Sequence, residues 1–348
     1  ATGMRINSPP AASSAASMRP PCDTTRALPP AVVMALAISM ADNSAPPVSS
    51  SGTICSMVGE RVIKAVTISM GGASWRRSYM SSSQEPQQLM VGEGRNQRPI
   101  AYLVQPRNAA VTAPGVIWLQ GFKSEMTSIK ATALAEWTAA RGLAFTRFDY
   151  SGHGQSWHGP ANRFEDGTIS RWLEETCAIF EQVTSGPQVV VGSSMGGYLA
   201  LLLARRLRAA PLSLEPNRLA GLVLIAPAWD MTERLMWQRA TDEARRAILD
   251  EGVWYRPSQY GDEPYAITRG LIEDGRNNLL GTEPWDPGCP VEIIHGRLDP
   301  DVPFAYSERL VASLETSPVN LVEVPDGEHR LSRPQDLERL FERITSLL

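Results

Sequence analysis

Val189-Val190-Val191-Gly192-Ser193-Ser194-Met195-Gly196-Gly197-Tyr198-Leu199-Ala200-Leu201-Leu202-Leu203 is the stretch that decides how this chain is read. Three β-branched residues after Gly186-Pro187 predict a short buried strand, and the apolar run after Gly197 predicts a buried helix. Between them lies Gly-x-Ser-x-Gly. A strand that becomes a helix within a few residues forces the central residue into a strained backbone conformation and lifts its side chain clear of the sheet. Gly192 and Gly196 lack the side chains that would hold strand and helix apart. Ser194 then stands at a helix N-terminus, where free N–H groups and the helix dipole favour developing negative charge. A nucleophilic serine needs that environment. The plainer alternative is a Gly-rich turn whose serines only cap the helix.

Strands and helices alternate on either side of this elbow. Segments 87–92 and 98–104 flank Gly92-Glu93-Gly94-Arg95-Asn96 as a predicted β-hairpin. Val116–Leu119 is a predicted buried strand, left by the turn Gln120-Gly121-Phe122-Lys123. Ser124 is placed to cap a helix running to Arg141, with Gly142 as its stop. Residues 143–148 and 219–226 predict further strands, as do 291–295 and 319–324, and helices are predicted over 168–184, 304–315 and 334–347. This order means an α/β fold with a mostly parallel sheet covered on both faces.

More than sixty residues between Ala226 and Val291 carry no clear strand, and connections of that length are lids or inserted subdomains. Helices are predicted near 232–250 and 264–274. Residues 227–288 hold four of the nine tryptophans, Trp229, Trp237, Trp254 and Trp285. With Met231, Met236, Tyr255, Tyr260 and Tyr265 they predict an apolar wall over the sheet's C-terminal edge, of which Trp229, Trp237 and Trp254 are the substrate-binding candidates. The alternative is that these aromatics form the insertion's own small core.

A net charge of −4 gives no footprint for nucleic acid or an anionic membrane. Residues 1–85 are rich in Ala, Ser, Pro and Met and predict a low-complexity leader with little fixed structure, leaving 86–348 as the folded domain. The apolar run Ala31–Met40 is too short to span a bilayer. Cys22, Cys55, Cys177 and Cys289 fit neither a disulfide framework nor a zinc spacing, and Cys177 and Cys289 read as packing residues. Only three lysines, Lys64, Lys123 and Lys130, stand among the 33 basic residues, which points to a GC-rich source and a cytoplasmic bacterial protein. The alternative is a mitochondrial protein whose Arg- and Ser-bearing leader is a transit peptide.

A serine hydroxyl is too weak an acid to attack a carbonyl unaided, so Ser194 requires a base and a group that orients that base. Four histidines are available. His153 and His158 lie in or beside a Gly-rich turn, and His295 ends a strand where its ring would support a turn. His329 follows the last strand in Asp326-Gly327-Glu328-His329-Arg330, a loop at the sheet's C-terminal edge, and is the preferred base. For the acid, Asp299 and Asp301 compete on the loop after the preceding strand, with Asp230 and Asp326 as rivals. Backbone N–H groups of Met195 and of Phe122, in the turn after the early strand, are the expected oxyanion donors.

Arg147-Phe148-Asp149-Tyr150-Ser151-Gly152, Gly192-Ser193-Ser194-Met195-Gly196-Gly197, Gly252-Val253-Trp254, Pro257-Ser258-Gln259-Tyr260, His295-Gly296-Arg297-Leu298-Asp299 and His329-Arg330-Leu331-Ser332 complete the pattern. Over about 260 residues the chain resembles the α/β-hydrolase superfamily. Within it the chain looks like the branch of mitochondrial palmitoyl-protein thioesterases that also cleave acyl glucuronides, and their bacterial relatives. The resemblance implies an eight-stranded-type sheet with a helical lid insertion, a Ser194–Asp299–His329 triad favouring Asp299 over Asp301, and neither cofactor nor metal. It implies a serine hydrolase that cleaves small-molecule esters or acyl thioesters with an apolar acyl part through an acyl-enzyme. The chain departs from the commoner His-Gly at the oxyanion turn by having Gln120-Gly121, and carries an extra Pro-rich loop around 210–216.

Two other readings stand beside this one. A small-peptide aminopeptidase would need an acidic site for the substrate amine, for which Glu233, Asp242, Glu243 and Glu251 are candidates on the lid. A non-catalytic binding protein of the same fold would hold an apolar ligand in the pocket.

Overall fold

The structure is a computed structural model that describes residues 85–157, 162–209, 218–258, 263–315 and 317–348. The expected leader, Cys22, Cys55, His158, Gln259-Tyr260 and the Pro-rich loop lie outside the described residues. In chain order the elements are β1 (Gln87–Val91), β2 (Arg98–Gln105), β3 (Gly115–Leu119), α1 (Ile129–Ala140), β4 (Phe145–Phe148), α2 (Ile169–Gln182), β5 (Gln188–Ser193), α3 (Met195–Ala209) and β6 (Leu219–Ile225). They continue with α4 (Asp242–Arg246), β7 (Val253–Arg256), β8 (Tyr265–Thr268), α5 (Arg269–Arg276), β9 (Val291–Gly296), α6 (Ala305–Ser313), β10 (Val319–Val324) and α7 (Pro334–Thr345).

Eight strands form one sheet in the order β1-β2-β4-β3-β5-β6-β9-β10. The β1–β2 and β2–β4 pairs are antiparallel, and every pair from β4 to β10 is parallel. This is the α/β-hydrolase arrangement the sequence implied. The central strands are apolar on both faces because alternate residues serve two different layers. Along β3, Val116 and Trp118 join one buried cluster while Ile117 and Leu119 join the other. Along β5, Val189 and Val191 face the first and Val190 the second. Helices α1 and α7 cover the first face, where Trp137 and Phe341 stack at 5.2 Å. Helices α2 and α3 cover the other.

Local chemistry sets the helix starts. Thr168, Thr241 and Thr268 each accept a hydrogen bond from the backbone N–H three residues on, which satisfies one of the free donors of α2, α4 and α5. Helix α1 starts at Ile129 rather than at Ser124. The intervening residues form tight turns, with Ser124 N–H bound to Gly121 O and Ser128 N–H to Glu125 O. The buried Asp149 carboxylate also holds the Met126 N–H, and these bonds replace helical ones.

The insertion between β6 and β9 is helical in part, with π-helical turns over Thr232–Trp237 and Ala247–Glu251. It also contains the antiparallel ribbon β7–β8, which the sequence reading did not anticipate; the helix expected over 264–274 is β8 followed by α5. Val253-Trp254-Tyr255-Arg256 and Tyr265-Ala266-Ile267-Thr268 are rich in β-formers, but strands of four residues are too short to display a period. Among the described residues no helix is long and apolar enough to cross a membrane.

Candidate active site

Ser194 occupies the single residue between β5 and α3, with φ +54°, a left-handed conformation that costs a serine energy. The surroundings hold it there: its N–H donates to Ile225 O at 2.8 Å, and its carbonyl accepts from Tyr198 and Ala228 N–H. A Cβ at Gly192 would fall onto the carbonyl of Gly196, and one at Gly196 onto the carbonyl of Leu119. Only hydrogen fits at these two positions: Gly192 lets β5 and α3 close into so sharp a corner, and Gly196 lets the start of α3 lie against the end of β3. Met195 is the first residue of α3, where N–H groups lack acceptors inside the helix.

Two distant loops converge on this corner. His329 Nε2 lies 3.0 Å from Ser194 Oγ, and His329 Nδ1–H donates to Asp299 Oδ2 at 2.7 Å. The second bond fixes the tautomer, leaving Nε2 as an acceptor for the serine hydroxyl proton. Asp299 Oδ1 accepts the N–H groups of Asp301 and Val302, both at 2.9 Å. Burial alone would raise the Asp299 carboxyl. Hydrogen bonds from His295, His329 and Val302 outweigh it and hold the group well below the usual carboxylate range.

Asp299, Asp301 and His329 also offer three ligand atoms within 4.8 Å of one another. Both Asp299 oxygens are already taken up by hydrogen bonds, and His329 Nδ1 carries a proton towards one of them, so the donor set fits an acid–imidazole pair better than an ion. The rivals lie elsewhere. Asp230 is buried and accepts from the N–H groups of Leu280 and Gly281, and Asp326 pairs with Arg333.

His295 and His153 are buried supports. His295 Nε2–H donates to Val302 O at 2.9 Å and reaches Asp299 Oδ2 at 3.2 Å, while its Nδ1 accepts from Ser307 Oγ. His153 Nδ1–H donates to Ser151 O, and its Nε2 accepts the Lys123 N–H, each at 3.1 Å. Burial pushes this imidazole down to about 4, so it is neutral at physiological pH. Sequence reasoning weighed His153 only as a rival base and missed this contact with the turn that carries Phe122.

A cleft of about 1600 Å³ opens over Ser194 and His329. Gly121 and Phe122 line it, and an ideal Cβ on Gly121 would stand 3.4 Å from Ser194 Cβ, which puts the turn after β3 beside the serine. Met231, Leu235, Met236, Trp254, Tyr265 and Ile267 form its apolar wall. Of the three tryptophans expected there, only Trp254 lines the cleft. Trp229 is buried, with Nε1–H bound to Tyr306 O and Arg234 over its ring, and Trp237 packs against Arg245 and Arg276. Trp237 belongs to the insertion's own packing, whereas Trp229 packs against Tyr306 of α6 in the main core. The lid acids Glu233, Asp242 and Glu243 pair with Arg276, Arg245 and Arg246. Cys177 and Cys289 are buried free thiols pushed up to about 11 and about 12 by burial.

A doubly covered, mostly parallel sheet with a strained serine corner, an imidazole within reach of it and a carboxylate behind the imidazole is the arrangement of the serine-hydrolase type of α/β enzyme. Residues 110–341 match the model of the alpha/beta hydrolase family, and the chain belongs to that family. It is 32% identical over 238 residues to the mouse palmitoyl-protein thioesterase ABHD10, mitochondrial, an alignment spanning 68% of this chain and 75% of the mouse protein. The crystal structure of a hydrolase from Agrobacterium vitis S4 superimposes with a TM-score of 0.71 at 42% identity, covering 76% of this chain and 98% of that one. Mouse alpha/beta hydrolase domain-containing protein 10 gives 0.64 at 30% identity, covering 75% and 97%. The expectation of a cytoplasmic bacterial protein is corrected here: the curated mammalian relatives matched over about two thirds of the chain are mitochondrial proteins.

Proposed function

We propose that Ser194 is the nucleophile, His329 the general base and Asp299 the orienting acid of this hydrolase, within a catalytic unit spanning residues 86–348. Ser194 Oγ attacks the acyl carbonyl as its proton passes to His329 Nε2, and the oxyanion is held by the N–H groups of Met195 and Phe122. The carbon–oxygen or carbon–sulfur bond then breaks, and the alcohol or thiol leaves with the proton from His329. Water gives a proton to the same imidazole, attacks the acyl-enzyme and releases the acid, returning the proton to Ser194. Asp299 stays ionised throughout and stabilises the imidazolium.

The observation that carries this reading is the continuous hydrogen-bonded line from Ser194 Oγ through His329 to Asp299, 3.0 Å and 2.7 Å long in its two steps. An apolar acyl part is supported by the Met231, Met236, Trp254 and Ile267 wall, and a thioester by the activity for which the mouse relative is named. The cleft exceeds the roughly 300–1,000 Å³ usual for small-ligand sites, which leaves room for a long acyl chain. Turnover of p-nitrophenyl esters, acyl thioesters and a matched amide tests the reading. Esters and thioesters turn over, and Ser194→Ala loses about 10⁴-fold or more in kcat together with fluorophosphonate labelling. Unchanged ester turnover in Ser194→Ala removes the triad; preferential amide cleavage replaces the esterase with a peptidase.

A further inference from the structure

The turn carrying Phe122 is held in shape from outside itself. Lys123 has φ +56°, a conformation that a lysine keeps only when neighbouring contacts impose it. Its N–H donates to His153 Nε2 at 3.1 Å. The Phe122 and His153 rings pack against the same two residues, Phe164 and Trp172, at centroid distances of 4.9–5.9 Å.

His153 is itself fixed at every point. Its Nδ1–H is committed to Ser151 O, which also accepts the Trp172 Nε1–H. Ser151 N–H and Oγ–H both donate to Glu175, a wholly buried carboxylate paired with the buried Arg98. A line of hydrogen bonds therefore runs from Arg98 through Glu175 and Ser151 to an imidazole whose single acceptor nitrogen points at the Lys123 N–H.

We propose that His153 is a positioning residue for the oxyanion turn: its Nε2 holds the Phe122–Lys123 peptide so that the preceding N–H, that of Phe122, is aimed at the oxygen bound to the reacting carbon. The imidazole touches no reacting atom and moves no proton. This rests on the oxyanion role of Phe122 given above. Losing the aim of one donor lowers the rate of acylation and leaves ground-state binding largely intact.

The experiment compares His153→Phe and His153→Leu, which delete the acceptor, with His153→Gln, which returns one. Rates are taken per fluorophosphonate-titrated site, so unfolded protein is divided out. The expected result for the deletions is a kcat about 10–100-fold lower with KM within about threefold, and an alkyl boronic acid that binds more weakly by the same factor as kcat/KM. The Gln variant recovers kcat to within about fivefold of wild type. Either deletion variant suffices if it folds. A kcat within twofold of wild type, a KM change that accounts for the loss, or a Gln variant as slow as the deletions overturns the proposal. Failure of both deletion variants to fold overturns it too, since the ring would then be a structural element. Ser194→Ala run alongside separates the two readings: its activity tests the triad, whereas a fully active His153→Phe removes only the positioning role.

Discussion

His295 and His329 approach the same oxygen of Asp299, Oδ2, at 3.2 Å and 2.7 Å. The Asp299 carboxylate thus has a second imidazole beside it, anchored by Ser307 and Val302 and fully buried. The two rings differ in what lies beyond them. His329 goes on to Ser194 Oγ, whereas His295 ends in the protein interior on Ser307 and Val302.

Asp299→Asn is expected to keep the fold and lose about 10⁴-fold in kcat, because an amide presented to His329 Nδ1 no longer selects the tautomer that accepts from serine. Steady-state kinetics beside near-ultraviolet circular dichroism checks this. A variant with native spectrum and a rate within tenfold of wild type would contradict it.

Glycine positions around the elbow separate into two kinds. Gly196→Ala drives a methyl into the Leu119 carbonyl and is expected to cost at least about 2 kcal/mol, whereas Gly121→Ala finds its nearest atoms at 3.4 Å and folds normally. Urea midpoints of the two variants provide the comparison. Equal stability would mean that the approach of α3 to the end of β3 has slack.

Two tryptophans of the insertion differ in the same way. Trp229→Ala empties a buried site and breaks the bond to Tyr306 O, for an expected loss of about 3–5 kcal/mol. Trp254→Ala, at the cleft wall, is expected to leave the melting temperature within a few degrees and to raise KM several-fold for the longer acyl chains. Thermal melts and a chain-length series discriminate the two outcomes, and a reversal would place the binding wall elsewhere.

Acid stability carries a signature of His153. Its folded pKa lies near 4 and its ordinary value near 6.5, so in that interval the unfolded chain binds a proton the folded protein refuses. Stability is therefore present above pH 6.5 and lost as pH falls towards 4, by on the order of 3 kcal/mol from this group alone. His153→Phe lacks the term, so its stability relative to wild type improves on acidification. Denaturation curves of both proteins at pH 7, 6, 5 and 4 that stay parallel would exclude it.

The elbow, the sheet and the loop positions of Ser194 and His329 were legible because each rests on a local pattern: a β-branched run, a glycine spacing, a loop after a strand. The acid was not, since the loop after β9 left Asp299 and Asp301 competing and the family resemblance chose between them. Nor was His153. Nothing in Tyr150-Ser151-Gly152-His153 tells which ring nitrogen will accept, and its partner on Lys123 becomes a neighbour only when β3 and β4 pair. The insertion was legible as an interruption of alternating strands and helices and not in its detail. Composition counts aromatics without saying which face a cleft and which lie under an arginine, as Trp229 lies under Arg234.

The ribbon β7–β8 does more than roof the cleft. Tyr265 meets the Phe122 ring at 5.8 Å, and the Lys123 ammonium reaches the Glu263 carboxylate and the Pro264 carbonyl. The insertion is consequently no detachable module. A chimera that borrowed another hydrolase's lid would arrive without these braces, and its new specificity would come with a loosened turn next to the serine.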